Sequence, residues 1–291
     1  MARLGKARQG KARQGLFNLI KKMKRLLVIS DTHCGHVAGL TPPQWQLNEF
    51  EASSTKRNKW AILQRELWTK FINILEKNKP FDYCFHMGDM IDGKGTRSGG
   101  VEQVTTDRSD QSDMMVHIFA EIRQRANKKY HSVAVFGTDY HVSNEGGEDW
   151  EEIIKERAGL DKIGNHEWVN INGCIFDLKH HIAGSTIPHG RFTAQAREKL
   201  WNVLWAERDY VPNAHVILRG HVHYFAYCGS PGWVAMTLPA LQGMGTRYGA
   251  RRFSGLVDWG VTIFDIDEKG QFDWRSVTMN IDAQKAKVLK F

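Results

Sequence analysis

The chain has 291 residues, 42% of them apolar, enough to bury a substantial core in one large domain or two small ones. Its four cysteines, Cys34, Cys84, Cys174 and Cys228, stand far apart with no CxxC pair, which argues against both a zinc ribbon and a disulfide framework and points to a reducing cytosol. The net charge of +8 is not spread over the fold: nine of the 40 basic residues lie in the first 25, which hold no acid, and the other 31 face 32 acidic residues.

That N-terminal stretch repeats GKARQ at 5–9 and 10–14 and has too few apolar residues to fold alone, so residues 1–23 read as a basic flexible arm and 24–291 as the domain. Such an arm is either a solvated extension or a tail that adds salt-sensitive affinity for nucleic acid. Met23-Lys24-Arg25, just before the apolar run LLVIS, would also be a natural start. The apolar segment Leu16 to Ile20 is too short for a secretory leader, and no run approaches membrane-spanning length. No membrane association is expected.

From there strands and helices alternate. Leu26 to Ser30 reads as a strand; Trp60, Leu63, Leu67, Phe71 and Ile74 recur at helical spacing up to the stop at Asn78-Lys79-Pro80. Phe81 to Met87 is the next strand, Asp113 to Lys129 a helix, Ser132 to Phe136 a strand, and Glu148 to Ala158 a helix closed by Gly159. Trp168 to Ile171 and Cys174 to Lys179 flank Asn172-Gly173, the preferred two-residue hairpin turn. A helix near Thr193 to Glu207, a strand His215 to Leu218 and late strands Gly260 to Ile266 and Phe272 to Thr278 complete the expected elements. With no Pro/Gly-rich linker, this is one α/β domain with mixed sheets.

The strand ends share one chemistry. They carry Asp31-Thr32-His33, then Gly88-Asp89-Met90-Ile91-Asp92, then Gly137-Thr138-Asp139-Tyr140-His141, then His180-His181, then Gly220-His221-Val222-His223. Any one of these is weak, but strand C-termini are where loops converge on ligands in α/β folds, and five such ends together suggest one site. Strand alternation would turn Asp31 with His33, and His221 with His223, to a common side. Imidazole with carboxylate favours Mn, Fe, Co, Ni or Zn over Mg or Ca. So many ligands exceed what one ion needs, but suit two ions about 3.5–4 Å apart.

DTHCG at 31–35, GDMIDG at 88–93, a Gly-headed turn at 137 with a nearby His, a later strand-end His and GHVH at 220–223 resemble, in order and spacing, the calcineurin-like metallophosphoesterases. The resemblance spans roughly residues 24 to 280. It implies a four-layer α/β/β/α sandwich of the metallophosphoesterase type, with two mixed sheets, flanking helices and a dinuclear centre of divalent transition-metal ions, Mn first, then Fe, Zn or Ni. It also implies hydrolysis of a phosphomonoester or phosphodiester by a metal-bound hydroxide. Carried over by motif, Asp31, His33 and His223 hold the first ion, Asp89 bridges, and His221 with His180 or His181 holds the second. The family pattern favours His180, and Asp92 is implied to orient His33 from outside the ligand set.

The turn at 137 departs from the family's Gly-Asn-His-Asp or Gly-Asn-His-Glu: Thr138 stands for Asn, and Asp139 for His. The GTxxH pattern resembles phage-type relatives, which would place the protein in a host cytoplasm, and His141 is expected to serve either as a ligand to the second ion or as general acid. Asp139 is the other catalytic candidate beside His141, and Thr138, whose hydroxyl is a poorer neutral ligand than an amide oxygen, is expected outside the ligand set. Arg191 is a candidate phosphate clamp, as is Arg197, though its helical position suits surface charge better. GKGTRSGG at 93–100 lacks P-loop spacing, and residues 36–59 read as a polar insertion shaping substrate access. The basic arm and the phage-like turn favour a nucleotide or nucleic-acid substrate. The alternatives are a catalytically inactive interaction module of the same fold and a nucleic-acid-binding protein that relies on its arm.

Overall fold

A computed structural model describes residues 23–48, 55–142, 149–244, 257–285 and 288–289; all of the arm expected over residues 1–23 except Met23 lies outside them. The strands are β1 (Lys24–Ile29), β2 (Phe81–His86), β3 (Ala126–Val135), β4 (Lys162–Gly164), β5 (Glu167–Ile171), β6 (Cys174–Lys179), β7 (Val216–Arg219), β8 (Ala226–Ser230), β9 (Trp233–Thr237), β10 (Gly260–Ile266) and β11 (Phe272–Thr278). The helices are α1 (Thr55–Asn78), α2 (Arg108–Arg123), the single turn α3 (Asp139–Val142), α4 (Trp150–Ala158) and α5 (Thr193–Ala206). Among the described residues no helix is long and apolar enough to cross a membrane.

The strands form two mixed sheets, ordered β11-β10-β1-β2-β3-β4 and β5-β6-β7-β9-β8. In the first, β1 to β4 are parallel, β10 pairs antiparallel with β1, and β11 pairs antiparallel with β10 at the edge. In the second, β6, β7 and β9 are parallel, with β5 and β8 added as antiparallel edges. Period-two alternation assigns each face. Leu26 and Val28 of β1 join Phe176, Leu178, Val216, Leu218 and Met236 in a core between the sheets, while Leu27 and Ile29 turn to the other side and pack with α1, α2 and α4. Ile217 and Ala235 line the far face of the second sheet, which α5 covers. The chain is thus the four-layer α/β/β/α sandwich, with two mixed sheets and flanking helices.

Several local expectations hold. Ile171 pairs with Cys174 around Asn172 (φ 53°) and Gly173 (φ 95°), both left-handed as the tight hairpin turn requires. Gly159 (φ 65°) ends α4 by giving its N–H to the carbonyls of Glu156 and Lys155. Others do not. The helix expected over 113–129 begins at Arg108, where the Asp107 carboxylate accepts the Ser109 N–H, and stops at Arg123. Lys128 and Lys129 belong to β3, because pairing with β2 outweighs the helix propensity of the stretch. The β8–β9 hairpin and the three-residue β4 were not expected. The stretch expected as a polar insertion buries Val37, Ala38 and Leu40 in its first part, and its residues 49–54 lie outside the described ones.

Candidate metal centre

The C-terminal ends of β1, β2, β3, β6 and β7 meet at one edge of the sandwich, and the loops leaving them assemble two groups of possible metal ligands: Asp31, His33 and His223, and Asp89, His180 and His221. A third group, His33, Asp92 and His141, adjoins the first. None of Asp31, His33, Asp89, His180, His221 or His223 lies within a strand. Asp31 (φ 50°), His33 (φ 44°), Asp89 (φ 54°), His221 (φ 71°) and His223 (φ 54°) all have left-handed backbone, so strand alternation is not what aims them. The loops curl instead, at a cost of about 1–3 kcal/mol per such residue, and the surrounding hydrogen bonds hold the curl. Asp31 N–H donates to Gly88 O, His33 N–H to Asp89 O and Leu241 N–H to Ser30 O.

Each ligand has a fixed aim. His33 Nδ1 lies 2.8 Å from Asp92 Oδ1, leaving Nε2 3.3 Å from His223 Nε2 and 3.8 Å from Asp89 Oδ2. His223 Nε2 is 3.1 Å from Asp31 Oδ1, and Asp31 also accepts the His221 backbone N–H. His180 Nδ1 donates to Met87 O at 2.6 Å, which directs Nε2 to Asp89 Oδ2 at 3.2 Å. Thr138 is more central than a residue outside the ligand set would be. Its Oγ1 sits 3.3 Å from Asp89 Oδ2, 3.3 Å from His180 Nε2 and 3.4 Å from His221 Nδ1, while its N–H donates to Asp89 Oδ1 at 2.6 Å. Gly137 is needed for this approach, since a Cβ there would lie 2.2 Å from Asp89 N.

The electrostatics call for positive charge. Burial raises the Asp31 carboxyl, but His223 and His180 override it and hold it well below the usual carboxylate range. Burial likewise raises Asp89, and His180 more than reverses the effect. In turn, burial disfavours a charged His180, yet Asp89 lifts its imidazole to about 10. His221 goes the other way: burial and the neighbouring His180 lower it to about 4. Carboxylates buried side by side with several imidazoles are costly as they stand, and the donor set suits divalent metal binding.

The remaining expected residues divide. His141 joins the site: Nδ1 lies 3.1 Å from the Asp92 carbonyl, and the ring meets His33 edge-on at 4.7 Å. Burial and His33 lower its pKa. His181 is exposed, outside every ligand group, and lies against the His221 ring at 4.6 Å. Asp139 is exposed at the start of α3 and is not in a ligand group, so the short helix turns His141, rather than Asp139, toward the centre. The Arg191 guanidinium sits 4.3 Å over the Tyr224 ring and does not line the cavity in front of the ligands. That cavity measures about 660 Å³, and His36, Ser98, Glu102, Gln103, Tyr140 and Gln242 complete its walls. Sequence reading missed those six: Ser98, Glu102, Gln103 and Gln242 reach the strand ends only through the folded 93–107 segment and the β9–β10 connection, whereas His36 and Tyr140 stand beside motifs already read, three residues after His33 and one before His141.

No family model matches the chain, and no curated protein does. Among solved structures, an archaeal phosphodiesterase is 13% identical with a TM-score of 0.40, over 87% of this chain and 99% of that one. Vacuolar protein sorting 29 from Cryptosporidium parvum is 11% identical with a TM-score of 0.41, over 89% and 98%. A predicted phosphoesterase from Streptococcus pneumoniae is 7% identical with a TM-score of 0.35, over 88% and 98%. Likeness of that degree does not identify a family.

Proposed function

We propose that this chain is a phosphoesterase that depends on two divalent transition-metal ions, in the manner of the calcineurin-like metallophosphoesterases. One observation carries the reading: a single Asp89 carboxylate oxygen, Oδ2, lies near both ligand groups, 3.8 Å from His33 Nε2 and 3.2 Å from His180 Nε2. Asp31, His33 and His223 would hold one ion, His180 and His221 the other, with Asp89 between them and the Thr138 hydroxyl as a neutral oxygen donor on the second side. When bound, such a pair supplies Lewis-acid stabilisation of phosphoryl charge and an activated water nucleophile.

The chain's own groups do the rest. Asp92 and the Met87 carbonyl fix the rings of His33 and His180, so both present Nε2 without reorganising. His141 has Nδ1 engaged by the Asp92 carbonyl, leaving Nε2 for the cavity. As the imidazolium it also carries a proton on Nε2 and gives that proton to the departing alkoxide, a form that its lowered pKa makes scarcer as pH rises. The polar walls at Ser98, Gln103, Tyr140 and Gln242 suit a polar ester. Together with the basic N-terminal segment this favours a nucleotide or nucleic-acid phosphate.

The test is hydrolysis of bis(p-nitrophenyl) phosphate and p-nitrophenyl phosphate with added Mn²⁺. Wild type is compared with Asp89→Asn and His141→Ala in preparations matched for folding, with metal content counted. Activity lost in Asp89→Asn supports the dinuclear centre. His141→Ala that keeps two ions and loses roughly 10²–10⁴-fold in kcat identifies the acid; loss of one ion makes His141 a ligand instead. A wild type that binds two ions and hydrolyses neither ester, nor any nucleotide offered, would make the chain a binding module.

A further inference from the structure

Glu151 is a fully buried acidic residue in the first turn of α4, outside the ligand groups. Its Oε1 accepts the Met90 N–H at 2.7 Å, and its Oε2 accepts the Gly137 N–H at 2.6 Å. One side chain thereby straps the loop after β2 to the loop after β3. Burial pushes the Glu151 carboxyl up to about 8, and the two accepted N–H groups together with the N-terminus of α4 work against that shift.

Both peptides that it grips lie one residue from the centre. Met90 N–H belongs to the peptide whose carbonyl, that of Asp89, accepts the His33 N–H at 3.0 Å. Gly137 precedes Thr138, whose N–H donates to Asp89 Oδ1 and whose hydroxyl faces His180 and His221. There is little slack between the two loops, because a Cβ on Gly137 would come within 2.3 Å of Asp89 Oδ1. We infer that Glu151 is a positioning residue for the second group of ligands: by holding Met90 and Gly137 at one spacing it sets the Asp89 carboxylate and the Thr138 hydroxyl for the ion. This rests on the metal-centre reading above.

Glu151→Gln keeps the volume but offers one acceptor where two are needed, so one loop is released. Mn²⁺ titration of the metal-free full chain by calorimetry, beside thermal unfolding of the same samples, reads the effect. One of the two ions should lose about 10- to 100-fold in affinity, with the other changed less than about threefold. Asp149→Ala is the control: it removes the cap bond to Glu151 N (2.9 Å) and loosens α4 without touching the strap, so it should leave both affinities in place.

A wild type that binds no ion would sink the metal-centre reading and this inference with it. Two ions bound equally well by wild type and Glu151→Gln would sink the inference alone, as would equal weakening in both variants. Should Glu151→Gln fail to fold, hydrogen exchange of the wild type with and without Zn²⁺ decides. The Met90 and Gly137 amides should gain more protection than the Leu27 amide, and an equal gain overturns the inference.

Discussion

Asp92 and His33 share a buried hydrogen bond of 2.8 Å, Oδ1 to Nδ1, and that bond determines which ring nitrogen of His33 faces Asp31 and Asp89. The second Asp92 oxygen is held by Gln103 Nε2 at 2.6 Å, so the orienting carboxylate is itself oriented. Asp92→Ala should weaken the tighter or the weaker of two Mn²⁺ sites by about 10- to 100-fold, whichever His33 serves. Competition with a chelator of known affinity measures it, and unchanged affinity at both sites would show that Asp92 orients nothing.

Thr138 places a hydroxyl where Asp89, His180 and His221 converge. Thr138→Val keeps the shape and deletes the oxygen, and is expected to lower the affinity of one ion by about tenfold or more while Thr138→Ser retains it. Ion counts after gel filtration at limiting metal would distinguish the two variants. Equal counts would reduce Thr138 to a backbone contact with Asp89.

His86 lies behind the centre, fully buried, with Nδ1 accepting the Gly88 N–H and Nε2 bonded to Thr32 Oγ1. Burial pushes its pKa down to about 3. The unfolded ring takes a proton near 6.5 and the folded one does not until about 3, so the unfolded state binds more protons between those values. Stability from this group is therefore complete above about pH 6.5 and declines as pH falls toward 3, by up to ~1.4 kcal/mol per pH unit. In urea unfolding of the metal-free chain between pH 6.5 and 5, His86→Asn should show a shallower decline than wild type. Parallel slopes would contradict the buried neutral ring.

Arg219, at the end of β7, is buried and paired with Asp177 at 2.6 Å and Glu198 at 2.9 Å; His166 also bonds Asp177 at 2.9 Å. Asp177→Ala strands that guanidinium, and should cost about 3–5 kcal/mol of stability. Replacing Arg219 and Asp177 together with apolar residues should recover much of that loss. Denaturant titration of the single and double variants tests it, and a single-variant loss below about 1 kcal/mol would mean that Glu198 alone satisfies Arg219.

How much was legible in the sequence depends on whether a feature is local. Chain-local patterns were enough for the Asn172-Gly173 turn, for the apolar stripe of α1 and for the Asp and His motifs at 31–33, 89–92 and 220–223, because turn backbone, helical periodicity and ligand chemistry are properties of a few adjacent residues. The resemblance of those motifs to a family supplied the layer order, which no periodicity contains. The family pattern favoured His180 over His181, and the tertiary structure gives the physical reason, since the backbone leaves β6 before that pair and the Met87 carbonyl captures His180. Tertiary structure alone ended α2 at Arg123, left Asp139 and Arg191 outside the ligand groups, and set Glu151 against peptides 61 and 14 residues away. Those outcomes turn on burial and hydrogen bonding between segments distant in the chain, and a local pattern carries no record of what will be packed against it.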